Sequence, residues 1–127
     1  MKNKILLLAA FISFLISSSY AQNYQFSALG NNSVTTTCKG TFTASGAYQA
    51  GGTYSNNTNK TVTFCSGTPG VPIRISFIVW DLEAGFDYLR IYDGTGTGGT
   101  LLGTINGESD IFDSGALFFT STGTCLT

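Results

Sequence analysis

The sequence predicts an all-β fold, two antiparallel sheets stacked as a sandwich, and three observations carry that expectation. Nowhere in residues 22–127 does an apolar period of 3.6 persist long enough for a helix. About seven short segments are β-rich, most alternating apolar and polar side chains. Clusters of Gly, Asn, Ser and Thr separate them, as the turns of a sandwich require.

The first residues stand outside that pattern. Lys2 and Lys4 precede an apolar run over residues 5–16, and Ser19-Tyr20-Ala21 places small residues where a signal peptidase cuts. Residues 1–21 therefore read as a secretory signal peptide. The run is shorter than the roughly 20 residues of a spanning helix, and no later stretch could cross a bilayer. The remaining chain, secreted or displayed at the cell surface as part of a larger protein, suffices for one domain with one core.

Charge narrows the class of function. Beyond residue 21 the bases are Lys39, Lys60, Arg74 and Arg90, against the acids Asp81, Glu83, Asp87, Asp93, Glu108, Asp110 and Asp113, a net charge of −3. No basic footprint for nucleic acid is present; an acidic patch confined to one window suits a cation. The chain has no histidine, which removes the usual catalytic triad and zinc-hydrolase designs.

In chain order, residues 22–37 are polar and read as a frayed lead-in with a weak strand signal at 33–37. Residues 45–52 are Gly/Ser-rich and read as a loop that continues through Tyr54-Ser55-Asn56-Asn57. Residues 61–65 alternate and form a strand, and Thr68-Pro69-Gly70 marks a turn. The strongest strand covers 73–80, with Ile73, Ile75, Phe77 and Val79 on one face and Arg74, Ser76, Ile78 and Trp80 on the other. Leu89 and Ile91 then alternate with Tyr88, Arg90 and Tyr92, and Asp93-Gly94 ends that strand in a turn. Further strands are expected at 101–105, 111–112 and 116–120.

Between the two central strands, Glu83 and Asp87 flank a three-residue tip, Ala84-Gly85-Phe86. Two carboxylates held about 5 Å apart repel by roughly 3 kcal/mol at an effective dielectric near 20, so a cation relieves them or they point apart into water. Calcium, which takes carboxylate and carbonyl oxygens in flexible geometry, fits better than magnesium. Asp81 reads as a solvent-facing strand residue behind that site. Asp93 reads as a turn residue that accepts a hydrogen bond from the backbone two residues on, with Gly94 taking the positive φ. The paired acids Asp110 and Asp113 have the look of glycosidase carboxylates, but their Gly/Ser-rich surroundings make them turn residues. Trp80, Tyr88 and Tyr92 form either a sugar-stacking platform or, on the simpler reading, sheet cover.

Three cysteines in an exported chain imply one disulfide and one leftover thiol. Cys38 with Cys65 would close a loop of about 28 residues, worth roughly 3 to 4 kcal/mol, and is the preferred pairing. Cys65 with Cys125 competes, and spacing does not decide between them. Asn31, Asn56 and Asn59 sit in glycosylation sequons.

Taken together, Cys38-x-Gly40-x-Phe42, Tyr54-Ser55-Asn56-Asn57, Asp81-Leu82-Glu83, Asp87-Tyr88-Leu89-Arg90-Ile91-Tyr92-Asp93-Gly94 and Leu101-Leu102-Gly103 resemble a CUB domain, in order and in spacing. The resemblance covers residues 38–127. It implies a compact jelly-roll-like sandwich and a non-catalytic role in binding extracellular protein or glycan, or in adhesion. The signal and the ending look like those of CUB modules in multi-domain bacterial proteins. It also implies one calcium ion, with Glu83 and Asp87 as ligands and Tyr54 as their support. Two departures stand out. Phe86 occupies the position of a family cysteine, and the chain stops before the strand that precedes a third acidic ligand. The domain is therefore expected to lack its final strand pair, to expose Phe118 and Phe119, and to self-associate through an open strand edge. The alternative role is a spacer beside a catalytic domain absent from this chain.

Overall fold

The computed structural model describes residues 21–44, 54–110 and 117–127. Among them the chain is all-β, with no helix. The strands are β1 (Gln22–Gln25), β2 (Ser33–Thr37), β3 (Gly40–Thr43), β4 (Val62–Ser66), β5 (Arg74–Phe77), β6 (Val79–Asp81), β7 (Leu89–Tyr92), β8 (Leu101–Ile105), β9 (Glu108–Asp110), β10 (Leu117–Thr120) and β11 (Cys125–Leu126). The expected signal peptide, the loop at 45–52, the strand at 111–112 and Asp113 lie outside the described residues, apart from the exposed Ala21.

The larger layer runs β2–β4–β11–β7–β8. β2 pairs with β4 in parallel, whereas β4–β11 and β7–β8 are antiparallel. The join between β11 and β7 is a single bridge, Asp93 with Leu126. It is reinforced by reciprocal bonds between Tyr92 and Thr127 (2.7 and 3.0 Å) and by Gly94 N donating to Cys125 O at 2.9 Å. Around it the Thr127 hydroxyl donates to Gly94 O at 2.8 Å and accepts from Gly96 N at 2.8 Å and from Thr63 Oγ1 at 2.7 Å. Opposite this layer, β10 pairs with β5 and β9 with β6. A separate parallel pair, β1–β3, brings Tyr24 and Phe42 edge-on to Phe64 of β4, at 5.2 and 5.4 Å between ring centroids.

Alternation fills the space between the layers. Ile91, Ile105 and Leu126 are buried from the larger layer, and Ile75, Phe77, Trp80, Leu117 and Phe119 pack on them from the other. Gly103 lets Phe119 approach so closely that a Cβ there would stand 2.4 Å from its ring. Phe119 is thus half-buried and edge-on to Phe77, while Phe118 is exposed beneath the Arg74 guanidinium, 3.7 Å from its ring. Among the described residues the buried core is thin, which raises the weight of every cross-link there.

Five sequence expectations need correction. The pairing is not wholly antiparallel, since β1–β3 and β2–β4 run in parallel. Residues 22–37 hold two paired strands rather than a frayed lead-in; four consecutive β-branched residues, Val34 to Thr37, favour extended chain. Val79 does not share a face with Ile73, Ile75 and Phe77. The run bends at Ile78, where its partner changes from β10 to β9, and a one-residue shift there turns Val79 outward and Trp80 onto the core. Asp110 lies in β9 opposite Val79, not in a turn. The disulfide joins Cys65 to Cys125, and Cys38 is free and exposed. Cys65 and Cys125 are direct partners across β4 and β11, with Cα atoms 4.0 Å apart. The β2–β4 register sets Thr36 opposite Cys65. Cys38 is therefore two residues, about 6.6 Å of extended chain, beyond that position, which with the gap between strands is too far for a disulfide.

Asp93 differs in detail. Gly94 takes the positive φ of 93° as expected, but the Asp93 carboxylate accepts bonds from Thr122 N (3.0 Å) and Thr122 Oγ1 (2.5 Å), far along the chain.

Two outcomes follow from these contacts. Cys65→Ser or Cys125→Ser will lower stability in urea by roughly 2 to 4 kcal/mol, and Cys38→Ser will leave it unchanged. The Thr122 hydroxyl and backbone hold the Asp93 carboxyl below its usual range. Its stabilisation is therefore present above the ordinary value of 3.8 and lost as pH falls through the lower folded value. Asp93→Asn should flatten that acid limb in a series of denaturant melts across pH.

Candidate functional site

The acidic loop arises from two unequal crossovers between the layers. On the ribbon side the last pair is Asp81 with Glu108, and on the larger layer the first pair is Leu89 with Ile105. The inner crossover between those pairs is only Asn106-Gly107, while the outer one spans residues 82–88. Leu82 N donates to Gly107 O at 3.0 Å, so the two run side by side, and the surplus chain is pushed outward as a tip. Phe86 N and Asp87 N both donate to Glu83 O, at 3.1 and 2.9 Å, and Gly85 adopts a φ of 82°. The turn falls on residues 84–86, as the sequence implied. Phe86, at its apex, is 76 % exposed.

Asn106, which sequence reasoning passed over, clamps this tip. Its Nδ2 donates to Asp87 O at 2.5 Å and to Glu83 O at 3.4 Å, and its Oδ1 accepts from Gly85 N at 3.1 Å. One donor and two acceptors face it, so a side-chain amide satisfies them all and fixes its own orientation. Tyr88 adds a bond from its hydroxyl to Gly85 O at 3.1 Å.

Of the two expected ligands, Asp87 is half-buried and Glu83 exposed. The Tyr54 hydroxyl donates to Asp87 Oδ2 at 2.5 Å across 33 residues of sequence, so Tyr54 does meet the loop. That bond, with burial next and the charges of Asp87 and Asp81 adding to it, raises the Tyr54 phenol above its ordinary value; the Glu83 backbone pulls the other way. Asp81 is exposed on β6, behind the loop. Among the described residues no group of three or more His, Cys, Asp or Glu side chains is placed to hold a metal ion. A cation here would rest on two carboxylates and neutral oxygens.

The other candidates separate. Trp80 packs on the core, Tyr92 is half-buried, and Tyr88 is exposed with the Arg90 guanidinium 5.2 Å from its ring. Asn31 accepts from Thr61 N at 2.8 Å, and Asn56 and Asn59 are exposed. Tyr54 also lines a small cavity of about 170 Å³, together with Phe26, Thr58 and Lys60. The Lys60 ammonium donates to the Phe26 and Ser27 carbonyls and lies 5.0 Å from the Phe26 ring.

Comparison with protein-family models, curated proteins and solved structures gives no match.

The Tyr54 bond can be read by titration. A raised phenol stabilises the fold fully below its unfolded value of 10.0, and that contribution is lost as pH rises through the folded value. Phenolate absorbance of the parent should include a step above the ordinary tyrosine value, and Tyr54→Phe should remove that step.

Proposed function

We propose that this chain is a secreted, non-catalytic binding module of the CUB type, and that its acidic corner is the surface it presents to extracellular protein or glycan. Several features support the reading. The motif order from Cys38 to Gly103 resembles that family, and the fold belongs to the β-sandwich class it would need. The observation that carries the reading is the fixing of the acidic loop. Tyr54 and Asn106, from distant parts of the chain, both bond to a tip that has little apolar burial of its own. A loop ordered in advance loses less entropy when a partner arrives.

The same residues fit a hard divalent cation. Glu83 and Asp87 supply the carboxylates, Tyr54 orients the second, and calcium accepts water or a bound partner for the rest of its oxygens. Bound there, the ion would cancel the repulsion between the two acids and offer a positive centre at the rim.

Calorimetric titration of the full chain with calcium tests the metal. Binding in about the millimolar range of extracellular modules is expected, with loss of heat in both Glu83→Ala and Asp87→Ala. No heat from the parent chain rejects the cation. Silence of the parent on arrays of glycans and matrix proteins, with and without calcium, rejects the binding role.

A further inference from the structure

Asn106 is the only asparagine in the chain followed by glycine, and its amide is the group that clamps the acidic loop. We propose that Asn106 is a deamidation site, and that loss of its amide unlatches the loop. The inference stands apart from the cation reading and holds whether or not a metal binds.

The chemistry is intramolecular apart from water. The Gly107 backbone nitrogen attacks Asn106 Cγ, forming a five-membered succinimide. The Cγ–Nδ2 bond breaks, and ammonia leaves with the proton that the Gly107 nitrogen gives up. Water then opens the ring. Attack at Cγ yields an aspartyl residue; attack at the backbone carbonyl carbon yields the isoaspartyl form. One water is consumed and one ammonia released, with no redox step. Asparagine is a thermolabile residue in general, and glycine on its C-terminal side places no Cβ in the path of attack. Asn106 is exposed, so water reaches the site, and Gly107 already holds a φ of 75° in the short inner crossover.

The consequence depends on this fold. The amide donates to Glu83 O and Asp87 O, and a carboxylate in its place has no proton to give either carbonyl. It would still accept from Gly85 N, but it would set a new negative charge against two carbonyl oxygens and beside Glu83 and Asp87. The isoaspartyl form also adds a backbone carbon to a two-residue crossover, disturbing the bond from Leu82 N to Gly107 O. Neither product can rebuild the clamp, so the change runs one way.

The test ages the full chain in mildly alkaline buffer at body temperature and follows each asparagine by peptide mass mapping. Asn106 should convert from amide to acid ahead of Asn23, Asn31, Asn32, Asn56, Asn57 and Asn59. In the aged protein and in Asn106→Asp, the amides of Phe86 and Asp87 should exchange with solvent about tenfold faster, the effect of losing one ordinary hydrogen bond. The β7 amides should stay protected. Should Asn106→Asp fail to fold, the aged parent still gives the reading. An intact Asn106 after the other asparagines have converted overturns the proposal, and so does unchanged protection of Phe86 and Asp87 once it has converted.

Discussion

Two residues hold the larger layer together. Cys125 and Leu126 pair with β4 on one side and, through the Leu126–Asp93 bridge and the Tyr92–Thr127 bonds, meet the end of β7 on the other. Without them β2–β4 and β7–β8 would be separate ribbons, each too small to bury a core alone. The disulfide from Cys125 to Cys65 locks this join, and in the chain-entropy model a loop of that length contributes roughly 4 kcal/mol. Thr127, Thr63 and Asp93 then satisfy polar groups around the seam, where an unpaired donor or acceptor would be costly.

The seam matters for the acidic corner because it holds β7 in the larger layer by its far end, Tyr92 to Gly94. Once β7–β8 stands against the ribbon of β6 and β9, the short crossover at Asn106-Gly107 and the longer one at 82–88 must share one edge of the sandwich. The longer one has nowhere to go but outward. Its tip has little burial of its own, so its shape rests on polar bonds: Asn106 from beneath, Tyr54 from the side, and Tyr88 across the turn. Such bonds are individually modest in water, but several converging on one short turn restrict it far more than one would.

Much of this could be read from the chain. Alternation located the strand at 101–105 as observed and those at 61–65, 88–92 and 116–120 to within a residue, and Glu83, Gly85 and Asp87 fell in the loop as expected; β1, β3, β9 and β11 were not foreseen. Three kinds of feature could not be read. The Cys65–Cys125 pairing depends on which strands neighbour each other, and spacing along the chain carries no such information. The reversal at Ile78 depends on a change of partner strand, which shifts the faces of a run whose own pattern looks continuous. Asn106 drew no notice in the sequence because its partners lie some twenty residues away and are backbone groups, which leave no mark in the side-chain pattern. A polar residue beside glycine, directly after a strand that must cross between layers, is the signal that could have found it.

A side-chain amide and a phenol fix the acidic corner before any ligand arrives. Nuclear Overhauser contacts in the full chain without added metal test it most directly. Cross-peaks are expected from the Asn106 side-chain amide protons to Glu83 and Asp87, and from the Tyr54 ring to Asp87. An Asn106 amide with free-solvent shifts and no such contacts would contradict it.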